Sequence, residues 1–143
     1  MDISTIRLDA TASTTGLWFS FDAWLERGDV VCAKDPGAGA WVRIARYDNP
    51  KFASAMARLY APFGSVDPSP EQRAQIQRDA MAETVVLGLA GFEEAGAPLV
   101  YSLDVAKRLL HDPELPQFFA FVYTVSRRET LFRRKAVEAI RGN

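Results

Sequence analysis

One cysteine, Cys32, and one histidine, His111, are the whole supply of thiol and imidazole groups in a chain of 143 residues. A single cysteine excludes an intramolecular disulfide, and with it the cross-linked scaffolds common among small secreted domains. One Cys and one His cannot make a Cys/His zinc site, and their wide separation carries no sign of a thiol-protease dyad. Neither a Walker-type phosphate loop nor a GxGxxG fingerprint occurs, and Gly37-Ala38-Gly39 is too short to stand for either. Long apolar runs are missing too: the longest, Val85 to Ala90, falls far short of the roughly 20 residues that span a bilayer. Met1 to Leu8 lacks the apolar centre of a secretion signal. A soluble, cytoplasmic protein is the expectation. Charge of one sign is also lacking, since 17 Lys+Arg against 18 Asp+Glu leave a formal net charge of -1. The molecule as a whole therefore exerts no strong pull on nucleic acid or anionic membrane, and a charged partner must be met by a local patch.

What the chain has is apolar bulk. Hydrophobic residues make up 48% of it, with 9 Phe, 4 Tyr and 3 Trp, enough for one well-packed domain and too much for intrinsic disorder. Residues 1–15, rich in Thr, Ser and Asp, predict a loose N-terminal arm, and residues 16–143 a single domain. Within that domain, Leu17, Phe19 and Phe21 alternate as on a half-buried strand. Asp29 to Lys34 and Trp41 to Tyr47 are two further β-rich stretches, separated by the turn residues Asp35-Pro36-Gly37-Ala38-Gly39. Together residues 16–47 predict a small antiparallel meander.

From Asn49 onward, residues 49–143 predict helices. Asn49-Pro50 places a capping side chain before a proline at the first helical position, and Phe52, Met56, Leu59 and Tyr60 follow at helical spacing. Ser69-Pro70-Glu71-Gln72 holds a Ser-x-x-Gln capping box, opening a helix expected to run through Ile76, Ala80, Thr84 and Leu87 to about Ala90. Gly91 to Pro98 reads as a loop, and Ser102 caps a short helix with Leu103, Ala106, Leu109 and Leu110 inward. Asp112-Pro113 is expected to start the last and longest helix, with Phe118, Val122, Val125, Phe132, Ala136 and Ile140 as its apolar stripe, interrupted at Glu129. The fold class expected is thus mainly α with a small N-terminal antiparallel β-meander, an α+β chain of about four helices.

Convergent polar groups are scarce. His111 sits beside the expected Asp112 cap as a junction residue, Cys32 reads as a small core residue, and Glu93-Glu94 as a solvated loop tip. No catalytic, cofactor-binding or metal-binding residue is nominated, and the expectation is a protein that is not an enzyme. The one marked charge asymmetry is Arg127, Arg128, Arg133, Arg134, Lys135 and Arg141, faced only by Glu129 and Glu138. Cations near a helix C-terminus and on the outer face of an amphipathic helix account for such a cluster structurally. The functional reading makes Arg127, Arg128, Arg133, Arg134 and Lys135 a docking surface for an acidic protein segment. Nucleic acid is not expected there, because no aromatic residues interleave the run.

Three stretches, taken in order, resemble the tail assembly chaperones of long-tailed, siphovirus-type bacteriophages. Gly16-Leu17-Trp18-Phe19, followed by Arg43-Ile44-Ala45-Arg46-Tyr47-Asp48-Asn49-Pro50-Lys51-Phe52, is similar to that family's first strand, second strand and Asn-Pro helix start. Ala82 to Gly88, leading through Gly91-Phe92-Glu93-Glu94 to Gly96, Pro98, Leu99, Tyr101 and Ser102, resembles its helix, acidic loop and Tyr-Ser entry to the next helix. The closing segment, with Phe132 and a polar end at Gly142-Asn143, resembles its last helix. Residues 22–40, with Trp24 and Trp41, depart from the pattern as a strand-like insertion where the family has a tight hairpin. The resemblance implies a protein of the bacterial host cytoplasm, absent from the mature virion, that needs no cofactor. It would bind the tape measure protein, keep it soluble, help recruit tail tube protein, and self-associate; a longer frameshifted form is common in the family. A structural tail or neck component and a nucleic-acid-binding regulator remain the alternatives.

Overall fold

Side-chain oxygens set most of the helix starts in this chain, and the computed structural model, which describes residues 1–142, begins helices where they stand. Asn49 accepts from the backbone N–H groups of Lys51 and Phe52 at 3.0 and 3.3 Å, opening α3 (Pro50–Tyr60). Ser69 and Gln72 form the reciprocal box of α4 (Pro70–Thr84), at 3.1 and 2.8 Å. Ser102 accepts from Val105 N–H at 3.1 Å and opens α5 (Leu103–His111). These three starts agree with the sequence reading.

The fold class does not. Among the described residues there are seven α-helices, a four-stranded antiparallel sheet and a two-stranded hairpin, a mixed α+β architecture in place of about four helices with a small N-terminal meander. Before the sheet come a 3-10 turn (Ile3–Ile6) and α1 (Ala10–Thr15), where an irregular arm is predicted. Ala12 is fully buried, and Asp9 N–H donates to the Phe132 carbonyl at 2.7 Å, so this segment is fastened to the far end of the chain. The sheet runs β2 (Cys32–Ala33), β1 (Leu17–Ser20), β3 (Trp41–Ile44), β4 (Val86–Ala90). Phe21 is not the last residue of the first strand: the Ser20 hydroxyl accepts from Ala23 N–H and turns the chain into α2 (Phe21–Arg27). The strand-like insertion expected over residues 22–40 is therefore mostly helix and loop, with one short edge strand.

The fourth strand is the largest correction. Thr84 ends α4, and Val86–Ala90 pairs with β3 where the sequence predicts continuing helix. Val85 explains the switch, because its carbonyl accepts from Ala45 N–H at 2.8 Å and ties the chain to the end of β3. A short apolar run such as Val85–Ala90 fits a buried strand as well as a buried helix, and tertiary pairing decided between them.

The long final helix is three pieces: α6 (Pro116–Ser126), a 3-10 turn (Glu129–Phe132) and α7 (Arg134–Arg141). Asp112 closes α5 and accepts from Glu114 N–H at 2.8 Å in a turn. A helix begun at Pro113 would place Pro116 at its fourth residue, where the N–H must bond back to the cap, so helix waits for Pro116. The second break lets Phe132 leave the helical path and pack fully buried against Phe19, with ring centroids 6.2 Å apart. The polar end noted at Asn143 lies outside the described residues.

One apolar layer joins these parts. Leu17, Phe19, Val42 and Ile44 alternate onto one sheet face and meet Val85 and Val86 with Phe121, Val122 and Val125 of α6. Trp18, Arg43 and Gly88 stand in register on the other face.

Candidate functional site

Phe21 stands at the start of α2 because Ser20 caps there, and that placement builds an apolar groove. Its ring lies 5.7 Å from Phe92 and 5.8 Å from Phe118, and those two are 6.2 Å apart. Leu25, Leu99, Leu109 and Leu115 complete a groove of about 440 Å³, with Glu93 and Glu94 on its rim. Leu25 and Leu115 are 50% and 40% exposed, so the groove opens to solvent through leucine. Single exposed leucines are ordinary on protein surfaces, whereas two flanking an aromatic trough form a continuous patch.

The acidic rim is held by a small hairpin, β5 (Glu93–Glu94) with β6 (Ala97–Pro98), where the sequence predicts only loop. Its turn residues Ala95 and Gly96 both have positive φ, 52° and 82°, the twist that matches antiparallel strands. Arg108 of α5 clasps Glu94 with two bonds of 2.7 and 3.0 Å, and Leu99 N–H donates to the Phe92 carbonyl at 2.9 Å. The paired carboxylates therefore differ: Glu94 is engaged by Arg108, while Glu93 points to no protein cation among the described residues.

The five basic residues nominated from sequence fall on two elements. Arg127 and Arg128 follow the C-terminal end of α6, where the helix dipole favours cations. Arg134 and Lys135 occupy the first turn of α7, preceded by Arg133, and that turn holds no acidic side chain. They stand at the wrong end of a helix for the dipole explanation, which accounts for only the first pair. Arg133 is half-buried, its backbone bridged to Leu8, and Arg134 N–H donates to the Arg7 carbonyl at 2.9 Å.

Arg127 also belongs to a stack that the sequence reading missed. Its guanidinium carbon lies 4.7 Å from the Tyr123 ring centre, Tyr123 stacks on Phe119 at 5.4 Å, and Arg78 of α4 covers Phe119 at 4.0 Å. Phe119, Tyr123 and Arg127 recur every four residues, which is the signal that marks one helix face. Because the two rings cover each other and are capped by arginines, their faces are already occupied.

His111 Nε2 lies 2.7 Å from Asp79 Oδ1, joining the end of α5 to α4. Burial pushes the Cys32 thiol up to about 12. Among the described residues no group of three or more His, Cys, Asp and Glu is placed to hold a metal ion, and no helix is long and apolar enough to cross a membrane. Trp41 is buried with its indole N–H on the Ala38 carbonyl at 2.9 Å, Trp24 packs on Phe121, and Trp18 is half-buried.

Comparison with known proteins places these features in a phage setting. A family model described as YdaY prophage protein matches residues 47–143, from three positions past the end of β3 through α7. No curated protein matches the chain, and no solved structure does.

Proposed function

The match spans more than half of the chain, which therefore belongs to the YdaY prophage protein family, and from that premise we propose that it is a phage tail assembly chaperone. In this reading it binds the tape measure protein in the cytoplasm of the host cell, keeps it soluble and promotes assembly of the tail tube protein around it. It acts by binding alone, with no catalytic step, and is left out of the finished particle.

The observation that supports this most is the groove of Phe21, Leu25, Phe92, Leu109, Leu115 and Phe118. A tape measure is a long helical protein whose apolar face must be covered before assembly. An amphipathic helix presents apolar side chains at i, i+3, i+4 and i+7, and an open aromatic trough accepts such a row. The Glu93 carboxylate at the rim suits a basic flank on that helix.

Co-expression with the tape measure protein of the same prophage tests the proposal. Soluble tape measure that co-purifies with this chain is expected, and Leu25→Glu with Leu115→Glu should abolish both effects while leaving the chain folded. A tape measure equally insoluble with and without the chain sinks the idea. If mass spectrometry finds the protein at fixed stoichiometry in purified particles, it is a structural component instead.

A further inference from the structure

On the sheet face away from the core, Lys34, Arg43 and Arg141 converge on a cleft of about 200 Å³ beside Trp18 and Gly16. They come from three parts of the chain: the end of β2, the middle of β3 and the last turn of α7. Among the described residues no carboxylate lines the cleft. Ion pairs in the described residues engage Arg27, Arg58, Arg108 and His111, and none engages these three cations.

Arg43 is built into place. A β-carbon on Gly88 would stand 3.3 Å from Arg43 Cβ and 3.0 Å from Trp18 Cη2, and one on Gly16 would stand 3.2 Å from Arg43 Cγ. Glycine inside a strand weakens it and marks a close approach, and here the room it leaves is filled by the Arg43 stem and the Trp18 ring. Arg43 Nε is buried with no acceptor among the described residues. A buried donor left without a partner is destabilising by about 1–3 kcal/mol, more when charged, so Arg43 Nε, like Arg46 Nε, has a hydrogen bond to give to water or to a bound acceptor. Tyr101 does not serve: its hydroxyl donates to the Val86 carbonyl at 3.0 Å, and burial pushes the phenol up, away from the anion.

We propose that Lys34, Arg43 and Arg141 form a binding site for a phosphate dianion. Phosphate carries about 1.5 to 2 negative charges and several strong acceptor oxygens at neutral pH, which suits three cations without an ion-pair partner among the described residues better than a single carboxylate does. The cleft has room for one tetrahedral oxyanion and its first substituent, so the source is inorganic phosphate or the phosphate of a mononucleotide. This site is separate from the apolar groove, and it stands or falls independently of the chaperone reading.

The test is an NMR titration of the full chain with inorganic phosphate, against chloride at equal ionic strength. Saturable shifts at the Trp18 indole N–H, the Arg43 Nε–H and Gly16 are expected. Lys34→Gln and Arg141→Gln, both at exposed positions, should each weaken binding about tenfold, as the loss of one charged hydrogen bond implies. A parallel titration with adenosine monophosphate separates the sources: tighter binding than phosphate assigns a nucleotide, equal or weaker binding assigns the free ion. No saturation by about 10 mM phosphate, well above a millimolar dissociation constant, overturns the proposal. So does a response that both variants leave unchanged.

Discussion

The Asn49 side chain and the Thr84 backbone, 35 positions apart, are joined by a 3.1 Å hydrogen bond from Asn49 Nδ2 to the Thr84 carbonyl. The same amide nitrogen donates to the Arg46 carbonyl at 2.7 Å, while its oxygen caps α3. Asn49 is only 1% exposed, so all of this takes place out of water. One side chain thus starts one helix and holds the end of another at the point where the chain turns into β4.

Asn49→Ala should therefore cost more than an ordinary cap. Loss of the cap plus two unsatisfied carbonyls is expected to destabilise by about 3 kcal/mol, read by chemical denaturation. Asn49→Asp discriminates, because Asp caps as well as Asn but would set a carboxylate oxygen against two carbonyls. Recovery of wild-type stability by Asp would show that the Arg46 and Thr84 links contribute nothing.

Gly91 is the least replaceable glycine near the groove. Its φ is 76°, and a β-carbon there would stand 1.9 Å from the Gly39 carbonyl oxygen. Gly91→Ala should destabilise by at least about 3 kcal/mol, through backbone strain and a clash that two backbones cannot relieve. Gly96→Ala has a similar φ of 82° but open space around it, and should cost only about 1 kcal/mol. Equal losses at the two positions, in thermal or chemical melts, would remove the contact with Gly39 from the account.

Arg134 and Lys135 repel the positive end of α7, in whose first turn they lie. Arg134→Glu and Lys135→Glu should each raise stability by about 0.3–1 kcal/mol at low salt. The gain should shrink in about 1 M salt, where the screening length is about 3 Å. Tape measure capture measured on the same variants decides what these residues are for. Greater stability with lost capture assigns them to partner binding, and greater stability with unchanged capture removes them from it.

The Cys32 thiol, raised to about 12 by burial, should resist iodoacetamide near neutral pH in the folded chain and react once the chain is unfolded. The raised value has a sign for stability as well. The unfolded thiol ionises first, so Cys32 favours the fold below the ordinary thiol range, and that contribution is lost as pH climbs from there toward 12. Rapid alkylation of the native protein at neutral pH would contradict the raised thiol of this half-buried strand edge.

Local chemistry alone determined several features of this protein. Asn49, Ser69 and Ser102 satisfy backbone donors within three residues, so their helices begin where the sequence places them. The scarcity of Cys and His, the apolar stripe of α6 and the basic character of residues 127–135 are equally visible in the chain. Long-range contacts decided the rest. Val85–Ala90 is apolar enough for helix or strand, and pairing with β3 chose strand. Residues 127–133 carry no strong breaker, and helix ends there because Phe132 reaches the core beneath Phe19. The groove gathers Phe21, Phe92 and Phe118 from three distant segments, and the phosphate cleft gathers Lys34, Arg43 and Arg141 from three others. Neither was legible, because sequence spacing reports which residues share one element's face, while a site between elements exists only once they pack.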